Sequence, residues 1–180
     1  MIRFSCSSSA FEPYLTQVLD YEIDYLSSKE GILYISEDQV SVLELFCTQM
    51  SSEHNIELTC LVCYGQDELT YQALLLAQTL GVGQVHYLST VLLVALIQNH
   101  TKLLKEMNKF VSNLDHHLLE FSRAYISQGG NGVSTAQVLF VHRNTVNNRL
   151  APFEQMTQMD LRVADTRESL KIMLTNQYYG

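Results

Sequence analysis

The chain has 180 residues, 47% hydrophobic and 17% charged, which allows one or two packed domains and excludes a disordered chain. No apolar run approaches the ~20 residues that cross a bilayer, the longest being residues 91–97. The net charge of −8 is uneven: residues 1–115 hold five Lys/Arg against fourteen Asp/Glu, and residues 116–180 hold six against five, so the first part repels a polyanion and the second does not.

The amino terminus lacks the apolar segment of a secretion signal, because Met1-Ile2-Arg3-Phe4 runs directly into serines. A cytoplasmic location, with no membrane partner, is expected. Residues 2–6 read as a strand. Leu15, Leu19, Ile23 and Leu26 predict a helix over 11–26, broken by Gly31, and residues 32–35 read as a buried strand. Ser36 is placed to cap a second helix marked by Val40, Leu43, Cys47 and Met50. Residues 56–64 are an apolar strand candidate. Asp67 caps a helix whose face is Leu69, Ala73, Leu76, Ala77 and Leu80; Gly81-Val82-Gly83 ends it, and residues 85–88 form a short last strand. Such alternation predicts βαβ units, and so a small α/β domain over 1–90 in which helices cover a sheet. From Thr90 onward the spacing is helical throughout. Leu92, Leu96, Leu103, Met107 and Phe110 supply one apolar face, followed by Leu114, Leu118, Phe121 and Tyr125. Residues 91–115 are expected as a helical linker and residues 116–180 as an all-α domain.

No set of residues supports catalysis. Cys60 and Cys63 have C-x-x-C spacing but lie in an apolar strand without a second ligand pair, so they read as structural. All four cysteines, Cys6, Cys47, Cys60 and Cys63, are expected to stay reduced in the cytoplasm. His116 and His117 are adjacent, and neighbours on a helix point to different sides, which argues against a metal site. Gly81-Val82-Gly83 follows a helix rather than a strand, and no Lys-Ser/Thr follows the glycines at 129–132, so neither is a phosphate loop. Asp20, Glu22 and Asp24 read as an acidic helix face. The chain is therefore read as a non-enzyme without cofactor or metal.

Residues 133–150, VSTAQVLFVHRNTVNNRL, read as a helix-turn-helix. Ser134 or Thr135 can cap the first helix. Ala136 and Leu139 face inward, Phe140-Val141-His142 forms the turn, and Arg143-Asn144-Thr145 opens a second helix with Val146 and Leu150 inside. Arg143, Asn144, Asn147, Asn148 and Arg149 then face out, and such side chains hydrogen-bond base edges and phosphates. Arg149 has an alternative partner in Glu154. Between Glu120 and Glu154 there is no carboxylate at all, while Arg123, Arg143, Arg149 and His142 fall inside the interval. That composition suits a surface facing phosphate.

The run Tyr125-Ile126-Ser127-Gln128-Gly129-Gly130-Asn131, with Thr135-Ala136, Leu139, Val141-His142-Arg143-Asn144-Thr145-Val146 and Arg149-Leu150, resembles the C-terminal helix-turn-helix of the PucR/CdaR family of bacterial transcription regulators. Met159-Asp160-Leu161 and Thr166-Arg167-Glu168-Ser169-Leu170-Lys171 resemble its closing helix. The resemblance implies sequence-specific binding of double-stranded DNA, with Ser134, Thr135, His142, Arg143, Asn144, Thr145, Asn147, Asn148 and Arg149 as the contacting set. It also implies a shortened member without the family's usual upstream sensor domain, so no small-molecule effector carries over. Asn148 stands where the family usually has Tyr. A homodimer is expected, since one such module contacts few base pairs. Its surface is sought either in the helices of 90–112 or in the α/β part. The rival reading is an adaptor that keeps the helix-turn-helix fold for a protein partner.

Overall fold

The computed structural model describes residues 1–179; Gly180, the last residue of the expected helix-turn-helix region, lies outside them. The chain divides into two compact units, residues 1–91 and 92–180. The first is an α/β unit with a five-stranded sheet and the second is all-helical.

In the first unit the strands are β1 (Ile2–Cys6), β2 (Glu22–Tyr25), β3 (Glu30–Tyr34), β4 (Leu58–Val62) and β5 (Val85–Tyr87), in the spatial order β2-β3-β1-β4-β5. The helices are α1 (Glu12–Leu15), α2 (Val40–His54) and α3 (Glu68–Leu80). Strand β1 pairs antiparallel with both β3 and β4, placing Phe4 between Gly31 and Cys60. Alternation along β1 then sorts the two faces. Ile2, Phe4 and Cys6 enter a core with Leu43, Phe46, Cys47 and Met50 of α2. Arg3 points the other way, towards α3, where it is buried: its Nη1 donates to the Thr70 hydroxyl (3.2 Å) and the Asp67 carbonyl (3.3 Å), and its guanidinium lies 4.9 Å from the Tyr71 ring centre.

Two expectations are corrected. The sheet is mainly antiparallel, and within it only β4–α3–β5 is a parallel βαβ crossover. The helix predicted over 11–26 is a single turn followed by a strand. After α1 the amides of Val18 and Leu19 both turn back to the Leu15 carbonyl (3.0 Å each), and Glu22–Tyr25 then pairs with Glu30–Tyr34. The hairpin is fixed by Ser27, whose hydroxyl accepts from the amides of Lys29 (3.2 Å) and Glu30 (3.1 Å). Glu22 and Asp24 therefore lie on one exposed strand face rather than on a helix.

Burial pushes up the pKa of the Cys6 thiol. Cys60 lies 3.8 Å from Cys47 of α2, not paired with Cys63, and both that contact and burial push its pKa up. Burial likewise raises Cys63 to about 11.

Next come α4 (Leu88–Ile97), α5 (Thr101–Ser112), α6 (His116–Ser127), α7 (Gly132–Val138), α8 (Arg143–Thr157) and α9 (Ala164–Tyr179). Helix α5, expected within a linker, buries Leu103, Met107 and Val111 and packs against α9. An amide pair, Asn176 Nδ2 to Asn108 Oδ1 at 2.8 Å, ties the same two helices. Helix α6 contacts α7 and α9, and α7 contacts α8. Phe121, Tyr125, Ala136, Val146, Leu150, Phe153, Leu170 and Met173 are all buried in this unit. No helix among the described residues is long and apolar enough to cross a membrane.

Candidate nucleic-acid interface

Helix α7 starts earlier than its hydroxyl residues suggest. Its cap is Asn131, whose side-chain oxygen accepts from the amides of Val133 and Ser134 (3.0 Å each). Ser134 and Thr135, the two expected caps, lie inside the helix. Thr135 is fully buried and its hydroxyl donates to the Asn131 carbonyl at 2.7 Å, which takes it off the surface. Thr135 is needed inside, next to Ala136, so the capping role falls to the next polar residue upstream. Asn131→Ala is expected to destabilise the second unit by about 1 kcal/mol. Thermal melting should show a drop of about 5 °C, and Asn131→Asp should restore most of it. A shift under 1 °C for the alanine variant would show that the cap contributes nothing.

The expected turn Phe140-Val141-His142 is present and begins one residue earlier, because Leu139 is the half-buried C-cap of α7. Helix α7 closes with Val141 N–H donating to the Ala136 carbonyl (2.9 Å) and Phe140 N–H to the Gln137 carbonyl (3.2 Å). His142 caps α8, its Nδ1 accepting from the Asn144 amide at 3.2 Å. An accepting Nδ1 puts the ring proton on Nε2, which is left as a donor. Val146, Leu150, Phe153 and Thr157 form the buried face of α8. At its end Gln158 adopts a left-handed φ of 59° and donates to the Glu154 carbonyl at 2.7 Å.

The opposite face of α8 is polar. Arg143, Asn144, Asn147, Asn148 and Arg149 are exposed with His142, whereas Ser134 and Thr145 are half-buried. The helix period centres Asn144 and Asn148 on the solvent face. Arg143 and Asn147 fall on one flank, and Thr145 and Arg149 on the other. The Asn147 flank lies beside α7: a Cβ on Gly132 would come 3.9 Å from the Asn147 amide oxygen.

The arginines divide by what they bond. Arg162 holds Glu154 and Asp160 (2.6 Å to the latter), and those carboxylates raise its pKa. Arg167 donates to the carbonyls of Leu161 (2.8 Å) and Arg162 (2.7 Å), fixing the approach to α9. Arg3 is buried against α3, and Arg123 is also engaged within the chain. Arg143 and Arg149 have no hydrogen bond or ion pair among the described residues. Glu154, the alternative partner weighed for Arg149, belongs to Arg162 instead.

His116 and His117 do not diverge as expected. Their rings meet edge to face at 6.0 Å, and with Glu120 their ligand atoms lie within 4.8 Å of one another, all exposed. The two histidines open the first turn of α6, where the positive end of the helix dipole opposes a cation.

Two features escaped the sequence reading. The Asn131 cap was signalled only by an amide residue three positions before Ser134. The exposure of Phe140 was signalled by a bulky residue where helix ends favour glycine.

Comparison with known proteins agrees with this geometry. No curated protein matches the chain. The solved regulator of polyketide synthase expression from Bifidobacterium adolescentis is similar over 99% of this chain and 79% of its own, with a TM-score of 0.50 and 18% identity, a likeness of fold. Residues 118–175, from within α6 to within α9, match the PucR C-terminal helix-turn-helix domain. Residues 118–175, which hold the turn and both of its flanking helices, are thus similar to a PucR-type C-terminal helix-turn-helix domain.

Proposed function

We propose that this protein is a bacterial transcription regulator that acts in the cytoplasm as a homodimer, binding a specific double-stranded DNA site through α7 and α8 rather than catalysing a reaction. The observation that carries the reading is the outward face of α8. Arg143 and Arg149 have no hydrogen bond or ion pair among the described residues, three asparagines lie between them, and no carboxylate occurs between Glu120 and Glu154. Unpaired guanidinium and amide groups in an acid-free stretch match the donors and acceptors of base edges and phosphates. His142, with its Nε2 donor, and Ser134 fit the phosphate-contacting fringe. Thr145 fits it in part, and Thr135 is reassigned to the interior. The dimer reading is supported by α4, where Leu93 (49% exposed) and Ile97 (76%) are spaced i, i+4 on a helix whose other face is buried.

Selection from a pool of random duplexes at 50 and 200 mM salt tests the proposal. A repeated or palindromic half-site is expected to be enriched. A dimer making about four phosphate contacts should lose about a hundredfold in affinity between the two salts. Enrichment of no sequence would refute it and favour the adaptor reading, which the acidic first unit suits.

A further inference from the structure

Among the described residues, five helices end on a residue with left-handed φ: Asn55, Asn99, Gly129, Phe140 and Gln158. Three of these are Gly or Asn, the types that adopt this backbone at least cost. Phe140, at φ 53°, is the one aromatic. Helices α6 and α7 close by the same pair of backbone hydrogen bonds. In α6 the Gly130 amide reaches the Tyr125 carbonyl and the Gly129 amide reaches that of Ile126, both at 2.9 Å. In α7 Val141 and Phe140 do the same with Ala136 and Gln137. Gly129 fills the left-handed position of the first and Phe140 that of the second, so the motif itself does not call for phenylalanine.

The ring does nothing for the fold either. Phe140 is 96% exposed, more than any other large hydrophobic residue described. It strains the backbone and leaves its ring in water, so its contribution has to come from outside the chain. Its surroundings select the partner. It stands three residues before Arg143 and two before His142, in the carboxylate-free stretch, next to the helix end that a helix-turn-helix directs into the major groove. The apolar feature of a base edge in that groove is the thymine 5-methyl group.

We propose that Phe140 is a specificity-determining residue whose ring packs on a thymine methyl at the edge of the half-site read by α8. This rests on the DNA-binding reading above. The test uses the full chain and its selected duplex, with each thymine replaced in turn by uracil, which lacks only the methyl. Phe140→Gly and Phe140→Asn both suit the left-handed backbone, and Asn does so without glycine's freedom in the unfolded chain. Both variants are expected to melt at or above the wild-type temperature and to bind about fivefold more weakly, the effect of losing one apolar contact. Uracil at one position should weaken the wild type by a similar factor and leave both variants unaffected. Binding by the variants within twofold of wild type overturns the inference. So does a uracil effect that is equal in all three proteins at every position. Failure of the wild type to select any site would instead overturn the regulator reading, and this inference with it.

Discussion

Arg143→Ala is expected to lower affinity for the selected DNA site about a hundredfold or more while leaving helical content and melting temperature unchanged. Arg143 is the first residue of α8, is exposed, and bonds to no described residue, so truncation removes no contact of the folded chain. Alanine is also the better helix former. A fork of guanidinium donors on guanine gives about 1–3 kcal/mol of discrimination, and a dimer loses two such forks. Arg143→Lys separates charge from geometry: it keeps the attraction to phosphate but loses the planar fork, so it should retain non-specific binding and lose selectivity. Fluorescence anisotropy with selected and scrambled duplexes, beside circular dichroism, reads both properties. A loss below threefold would remove Arg143 from the recognition surface, and a loss of helicity would show that it serves the fold instead.

The largest expected effect on stability lies in the first unit, at Gly31. The register places it between Phe4 of β1 and Tyr25 of β2. Those two rings meet edge to face across it, with centres 6.1 Å apart, and Phe4 also meets Phe11 edge to face at 5.5 Å. A Cβ at Gly31 would come within 2.7 Å of the Asp24 carbonyl and 2.8 Å of the Phe4 ring. Backbone cannot yield there without unpairing β2 from β3, and the Phe4 ring is held in the core at 1% exposure. Gly31→Ala is therefore expected to cost about 3 kcal/mol, at the upper end of overpacking effects. For a unit of this size that is a fall of about 15 °C in its melting transition. Gly129→Ala is the matched comparison, because nothing lies within 4 Å of its Cβ position and only the left-handed φ of 63° is penalised, at about 1 kcal/mol. A Gly31→Ala protein that melts within 3 °C of wild type would show that the sheet relaxes around the methyl group.

What the sequence disclosed followed from local spacing. Val146 and Leu150 sit one turn apart on α8, so their burial and the outward asparagines could be read together, as could the Asp67 cap and the glycine end of α3. The errors arose where a distant partner decides. Leu15, Leu19 and Ile23 have helical spacing, but Ile23 also alternates with Glu22 and Asp24, and only pairing with β3 chooses the strand. Alternation of strands and helices suggested repeated βαβ units, but which strands run parallel depends on β1 lying between β3 and β4 and pairing antiparallel with both. The cap of α7 was misplaced because Asn131, Ser134 and Thr135 all have a suitable side chain, and the choice turns on which one the interior takes. Arg143 lies in the carboxylate-free stretch, whereas Arg162 follows Asp160 by two residues. What the spacing does not give is that the chain after α8 also brings Arg162 to Glu154 of that helix, while among the described residues no carboxylate pairs with Arg143.

The outward side chains of α8 are mechanically idle, since Val146, Leu150 and Phe153 hold the helix in place while the side chains of Asn144, Asn147, Asn148 and the two arginines hydrogen-bond to no described residue. Their identities are thus free of the constraints that folding places on a core. Exchanging them alters what the surface matches and leaves the scaffold's thermodynamics nearly untouched. Under the DNA-binding function proposed above, a lineage carrying this domain would drift from one target sequence to another by single substitutions, each tolerated by the fold, and an engineer could search the same positions combinatorially without first stabilising the protein.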